Sequence, residues 1–161
     1  MLTLRTTLAT LGLLAAGTTL PLTVASPAAA ADCGSELTTW KESGYVLAWG
    51  GPGCAGDPLG RAAGNDPDWG QSGGGFTGSD TNQAESVVNG GTYSDGVNIV
   101  AFYDYTAYSA ANGYGCLKRG MKIDNLYNEY FINPAGTQLR RMHNAISSHQ
   151  WVTTSACTAY M

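Results

Sequence analysis

The chain has 161 residues, of which 43% are hydrophobic and only 12% charged, with a formal charge of −4. The charged share is about half the usual soluble average near 25%, which argues against a coiled coil or a charged disordered tail, and the acidic balance argues against a nucleic-acid partner. The length fits one domain built from two halves, and 22 Gly and 9 Tyr point to turns and strands.

Residues 1–31 read as a secretory signal peptide. A short basic start ends at Arg5, an apolar run spans 8–24, and Ala28-Ala29-Ala30-Ala31 offers the small residues a signal peptidase reads. No other stretch approaches the ~20 apolar residues that span a bilayer. The expected mature product is residues 32–161, extracellular, without a membrane anchor, and monomeric. Its charges are uneven: Lys41 and Arg61 face nine carboxylates in residues 32–100, whereas five basic residues face Asp104, Asp124 and Glu129 in 101–161. Such a distribution either orients a partner or forms a solvated face.

All four cysteines, Cys33, Cys54, Cys116 and Cys157, lie in the mature chain. An even number in an exported domain implies two disulfides. Three pairings are possible, and Cys33–Cys54 with Cys116–Cys157 closes each half separately. A zinc site is a poor alternative, since there is no CxxC pair and neither His143 nor His149 lies at ligand spacing from a cysteine.

The first strand is expected over 44–49, stopped by Gly50-Gly51-Pro52-Gly53. The Gly-, Asp- and Ser-rich stretch 60–80 predicts irregular structure, with 64–78 as one loose insertion. A second strand is expected over 84–89. The second half restarts with Val97-Asn98-Ile99-Val100-Ala101-Phe102-Tyr103. Val97, Ile99, Ala101 and Tyr103 share one face and Val100 and Phe102 the other, so both faces are apolar, as in a strand inside a sandwich. Period-two alternation continues through 116–118 and 121–123 around Gly120. A short helix is expected between Asn125 and Phe131, and 144–152 closes the domain as a strand.

The halves echo each other. Trp49-x-x-x-x-Cys54-x-Gly56 corresponds to Tyr103-x-x-x-x-Tyr108-x-Ala110, each after a strand. A serine precedes the last strand of each half, Ser86 in one and Ser147-Ser148 in the other. The pattern suits a folded hairpin: the first aromatic packs over the second, a positive-φ residue turns the chain back, and the late serine ties the hairpin down.

Catalysis finds little support in the residues. No GxSxG elbow, HExxH, P-loop or Cys–His signature is present. His143 and His149 suit structural roles, and Asp66 and Asp68 around Pro67 suit a turn. The expectation is a protein that is not an enzyme. Aromatics stacking on sugars offer another reading of the four Trp and nine Tyr, although a small core needs most of them.

The run Phe102-Tyr103-Asp104-Tyr105-Thr106-Ala107-Tyr108-Ser109-Ala110, with His143-Asn144-Ala145-Ile146-Ser147-Ser148, resembles the βγ-crystallin Greek key. The exported, disulfide-bearing format, and the run from Ser86-Val87-Val88-Asn89 into Val100-Ala101-Phe102-Tyr103, resemble the secreted bacterial metalloprotease inhibitors of that fold. The resemblance covers about 44–152. It implies an all-β sandwich of two Greek-key motifs, one over about 44–90 and one over about 97–152. It also implies a secreted protease as partner, with Tyr105, Tyr108, Tyr130 and Phe131 as candidate inhibitory surface.

The same resemblance implies a calcium site, for which the hard cation needs oxygen ligands. The corresponding windows are Thr81-Asn82-Gln83-Ala84-Glu85-Ser86 and His143-Asn144-Ala145-Ile146-Ser147-Ser148. One degraded site would use Asn144, Ser147 and Asp104. The alternative is a calcium-binding or purely structural domain without inhibitory activity.

Overall fold

The computed structural model describes residues 32–92 and 96–161. The signal-peptide reading of 1–31 lies outside the described residues. Among the described residues the elements are a short helix α1 (Gly34–Trp40) and nine strands: β1 (Val46–Trp49), β2 (Pro58–Ala62), β3 (Ser86–Asn89), β4 (Val97–Tyr103), β5 (Tyr114–Leu117), β6 (Lys122–Ile123), β7 (Tyr130–Ile132), β8 (Gln138–Arg141) and β9 (Ser148–Thr153). They form two antiparallel sheets, one ordered β2-β1-β3-β6 and the other β8-β7-β5-β4-β9. Among the described residues no helix is long and apolar enough to cross a membrane.

The two halves exchange strands. β6 belongs in sequence to the second half, yet it pairs with β3 of the first, Val87 opposite Ile123 and Val88 opposite Lys122. The reciprocal partner is reduced to one residue. Asp66 forms an isolated antiparallel bridge with His149 of β9, its N–H and carbonyl each bonding the other backbone at 3.0 Å. Each half thus lends its third extended segment to the other half's sheet. This is the all-β, two-Greek-key, βγ-crystallin-like sandwich, with an additional β7–β8 hairpin on the edge of the second sheet.

Strand periodicity builds three apolar layers, since alternate side chains leave opposite faces of a strand. Val46, Ala48, Val87, Val100 and Phe102 point between the sheets into the central core. Leu47, Trp49 and Val88 point outward, where α1 covers them together with Cys33 and Cys54. Ile99, Ala101 and Tyr103 point outward from the other sheet, beneath the C-terminal tail and Cys116 and Cys157. The disulfides are Cys33–Cys54 and Cys116–Cys157, the pairing that closes each half. Sequence separations of 21 and 41 residues correspond to about 3 and 4 kcal/mol in the loop-entropy model.

Both folded hairpins are tied by the same device. The Ser86 hydroxyl donates to the Gly51 carbonyl at 2.7 Å and accepts from Cys54 N–H at 3.0 Å. In the second half the Ser148 hydroxyl donates to the Tyr105 carbonyl at 2.6 Å and accepts from Tyr108 N–H at 3.3 Å. Tyr103 and Tyr108 pack with ring centroids 6.1 Å apart. The positive φ falls at Gly53 and Cys54, and at Ala107 and Tyr108. Gly56 is also left-handed, whereas Ala110 opens a 3-10 turn. The strain at Ala107 and Tyr108 is held by the Ser148 bond and by Ala107 N–H donating to Pro67 O at 2.7 Å.

The stretch 64–78 is not a loose insertion. Trp69 and Phe76 are fully buried and stack at 3.8 Å with an interplanar angle of 9°. They anchor the segment because two large rings bury more apolar area than the short backbone costs to order. The glycines serve close approach. A Cβ on Gly75 would lie 2.2 Å from Arg61 O and 2.7 Å from Ala62 Cα. Those are backbone atoms of β2 and cannot swing aside. Gly75→Ala is expected to cost about 1–3 kcal/mol, as other overpacked sites do, read as a lower midpoint in urea. An unchanged midpoint would mean that the segment does not lie against β2.

The short helix expected between Asn125 and Phe131 is only a 3-10 turn, Leu126–Asn128. The residues after it become β7, because Phe131 reaches the core.

Candidate functional site

The windows 81–86 and 143–148 lie side by side between the halves. Asn82 N–H donates to Ile146 O at 2.8 Å, and Asn144 N–H to Ala84 O at 2.9 Å. Both asparagines are left-handed, at φ 57° and 51°. Each faces the other half's window: Ser147 Oγ bonds Asn82 Oδ1 at 3.2 Å, and Asn144 Nδ2 donates to Glu85 Oε1 at 3.4 Å. His143 Nε2 also approaches Glu85 Oε1, at 3.3 Å.

The three candidate calcium ligands engage different partners. Asn144 faces Glu85, and Ser147 faces Asn82 and Thr81. Asp104, which is 3% exposed, accepts from Asn112 Nδ2 and Arg140, each at 2.7 Å. No group of three or more His, Cys, Asp or Glu suited to a metal ion occurs among the described residues.

His149 sits at the centre of the molecule, fully buried. Trp69 Nε1, which can only donate, bonds His149 Nδ1 at 2.9 Å. The proton of the neutral ring is therefore on Nε2, which donates to Gly64 O at 2.9 Å. Burial pushes its pKa down to about 4, against a smaller upward pull from Gly64 and Asp66. A second proton on Nδ1 would also oppose the Trp69 donor. Asp66, 1% exposed, gives its carboxylate to the N–H groups of Asp68 and Phe76. These two groups hold the strand exchange together, and both histidine nitrogens are occupied by the protein itself.

The exposed counterpart is the β7–β8 edge. All four residues of β8 are exposed, and no strand flanks its outer side among the described residues. Arg141 lies over the rings of Tyr127 at 4.4 Å and Tyr130 at 4.7 Å and also donates to Tyr127 O. Arg140 is tethered to buried Asp104. Tyr127 and Leu139 are exposed beside them, at 53% and 41%. Glu129, next to this edge, has its carboxyl pushed up by burial.

The four aromatics expected on an inhibitory surface are divided. Tyr105 is 47% exposed and accepts from Asn112. Tyr130 flanks Arg141. Tyr108 packs on Tyr103, and burial raises its phenol pKa. Phe131 is completely buried and presents no surface, because it is the inward residue of β7. Sequence reading missed Tyr127, Leu139, Arg140 and Arg141. Their one signal was Gln138-Leu139-Arg140-Arg141 after the turn residues Asn133-Pro134-Ala135-Gly136, a hairpin in outline.

No family model matches the chain, and no curated protein does. The solved structures similar to it include two described as βγ-crystallins. One is a beta gamma crystallin from Ciona intestinalis, 11% identical, covering 67% of this chain and 99% of that one at a TM-score of 0.45. The other is a betagamma-crystallin from an archaeon, 17% identical, covering 67% of this chain and 96% of that one at a TM-score of 0.43. The crystallin-like architecture rests on the strand exchange and paired serine ties of this chain itself.

Proposed function

We propose that the chain is an exported, non-catalytic inhibitor that lays its β7–β8 edge in the cleft of an extracellular metalloprotease. The observation that carries this reading is the immobilised edge: Arg141 between two tyrosine rings and Arg140 on a buried carboxylate, on a strand exposed along its length. Extended partners bind by adding a strand to such an edge. A segment already held in place loses little entropy when it docks. The occupied nitrogens of His149 and the backbone-bound carboxylate of Asp66 support a structural rather than a catalytic use of the buried polar groups. The disulfides favour an oxidising compartment.

Residual activity of a thermolysin-like metalloprotease, titrated with the protein, tests the reading. Stoichiometric loss of activity at micromolar protein is expected. Arg141→Ala is expected to weaken it at least about tenfold, as a hot-spot arginine would. Full protease activity at micromolar protein, or unchanged inhibition by the variant, overturns it.

Calcium binding is the second reading. It is favoured by Asn82, Ser147, Asn144 and Glu85 meeting across the halves. Millimolar calcium then raises the melting midpoint, since a ligand of the folded state adds stability. An unmoved midpoint removes calcium from the account.

A further inference from the structure

A recessed site lies apart from the β7–β8 edge, and its described lining residues are uncharged. Trp151 of β9, Asn65, Thr92, Ala63, Gly64 and Gly44 line a cavity of about 350 Å³. That is at the lower end of the roughly 300–1,000 Å³ typical of small-ligand pockets. Its frame is fixed by the fold. Asn65 Oδ1 accepts from Trp151 N–H at 2.8 Å. Gly44 N–H donates to Gly90 O at 2.8 Å, and Asn89 Oδ1 holds Gly91 N–H at 2.8 Å. The indole packs against Gly91, where a Cβ would come within 2.7 Å of Cζ3. Asn89 is itself buried and anchored to Asn98 O and Leu117 O, so the floor is rigid.

Three features limit what such a pocket takes. Among the described residues that line it none carries a charge, so they offer an ionic ligand no counter-charge. One wall is an indole, a flat apolar face with a polar edge. Trp151 Nε1 is also the one buried side-chain polar atom, among the described residues, without a hydrogen-bond partner. That nitrogen is enclosed, so the indole would meet a ligand in the cavity through its ring and not through its N–H. An aromatic face beside an amide, a hydroxyl and glycine backbone is the combination that receives a ring apolar on its faces and hydroxylated at its rim.

We propose that this pocket binds a neutral pyranose sugar unit, stacked on Trp151 and hydrogen-bonded by Asn65 and Thr92. The site is separate from the β7–β8 edge, and its occupation does not depend on protease inhibition.

The test is a titration of the intact disulfide-bonded protein with cellobiose, maltose and N,N′-diacetylchitobiose at millimolar concentration. The readouts are the Trp151 indole N–H resonance and tryptophan fluorescence. Glucose 6-phosphate and an anionic hydrophobic dye serve as charged and apolar comparisons. At least one neutral disaccharide is expected to move the Trp151 resonance saturably. Trp151→Ala, which lacks that reporter and is followed by titration calorimetry, is expected to bind at least about tenfold more weakly, equivalent to about 1.4 kcal/mol. Because Trp151→Ala can also disturb the sheet, Ala63→Arg at an exposed position supplies a second variant that fills the pocket; it should keep the melting midpoint and abolish the shift. No shift with any neutral disaccharide overturns the proposal. So does a shift confined to the phosphate sugar or the dye, or binding that survives in Ala63→Arg.

Discussion

Trp69→Ala is expected to destabilise the domain by about 3–5 kcal/mol, the range for emptying a large buried aromatic site, and to lower the melting midpoint by roughly 10–20 °C. Trp69 is fully buried. It stacks on Phe76 at 3.8 Å and meets Phe102 edge-on at 6.3 Å, so its loss leaves a void on two sides. It also removes the donor to His149 Nδ1, leaving a buried acceptor unpaired, which adds to the cavity penalty. Trp69→Phe should recover part of the packing but not the hydrogen bond, and so fall between the two. A loss below about 1 kcal/mol for Trp69→Ala would mean that this segment is not part of the core, and would remove the anchor of the exchanged Asp66 bridge.

The second large effect is acid destabilisation through His149. Its folded pKa is about 4, whereas an unfolded histidine titrates near 6.5. Between these values the unfolded chain binds a proton that the folded chain refuses. Stability is therefore complete above about pH 6.5, declines as the pH falls towards 4, and loses no more to this group below that. The difference corresponds to about 3 kcal/mol. Urea melts across this window should show the decline in the wild type. His149→Gln, which keeps a donor and an acceptor but does not titrate, should flatten it. Equal slopes in both proteins would sink the assignment. The comparison of slopes matters more than the absolute level, because the substitution also changes packing.

The central strands were readable because their pattern is simple. Val97 to Tyr103 alternates two apolar faces, and the structure places those faces in the central core and in the layer under the C-terminal tail. The serine ties were readable for a local reason: Ser86 and Ser148 sit at the same place in two similar hairpins. The segment 64–78 differs from its sequence pattern because abundant glycine suggests looseness where the fold uses it for close packing. There the glycines admit close backbone contacts, and only two aromatics carry the burial. β7 and β8 were missed because their pairing depends on tertiary contact, with β8 exposed throughout. The candidate edge was legible only in its tyrosines. That Arg141 would lie between Tyr127 and Tyr130 depends on cross-strand register, which sets Tyr130 opposite Arg141 and leaves no mark in composition.

The exchanged segments also govern when the fold can form. His149 meets Trp69 and Gly64 across 80 and 85 residues of chain, and β6 completes a sheet begun by β1. Each sheet takes an edge segment from the other half, and the central core draws its side chains from both halves. A chain emerging from the ribosome therefore waits until β9, near its end, has been made before the central core can assemble. Contacts so distant in sequence form slowly. Until then the apolar strands of the first half remain available to wrong partners. Two separately produced halves should, for the same reason, acquire ordered structure only when mixed.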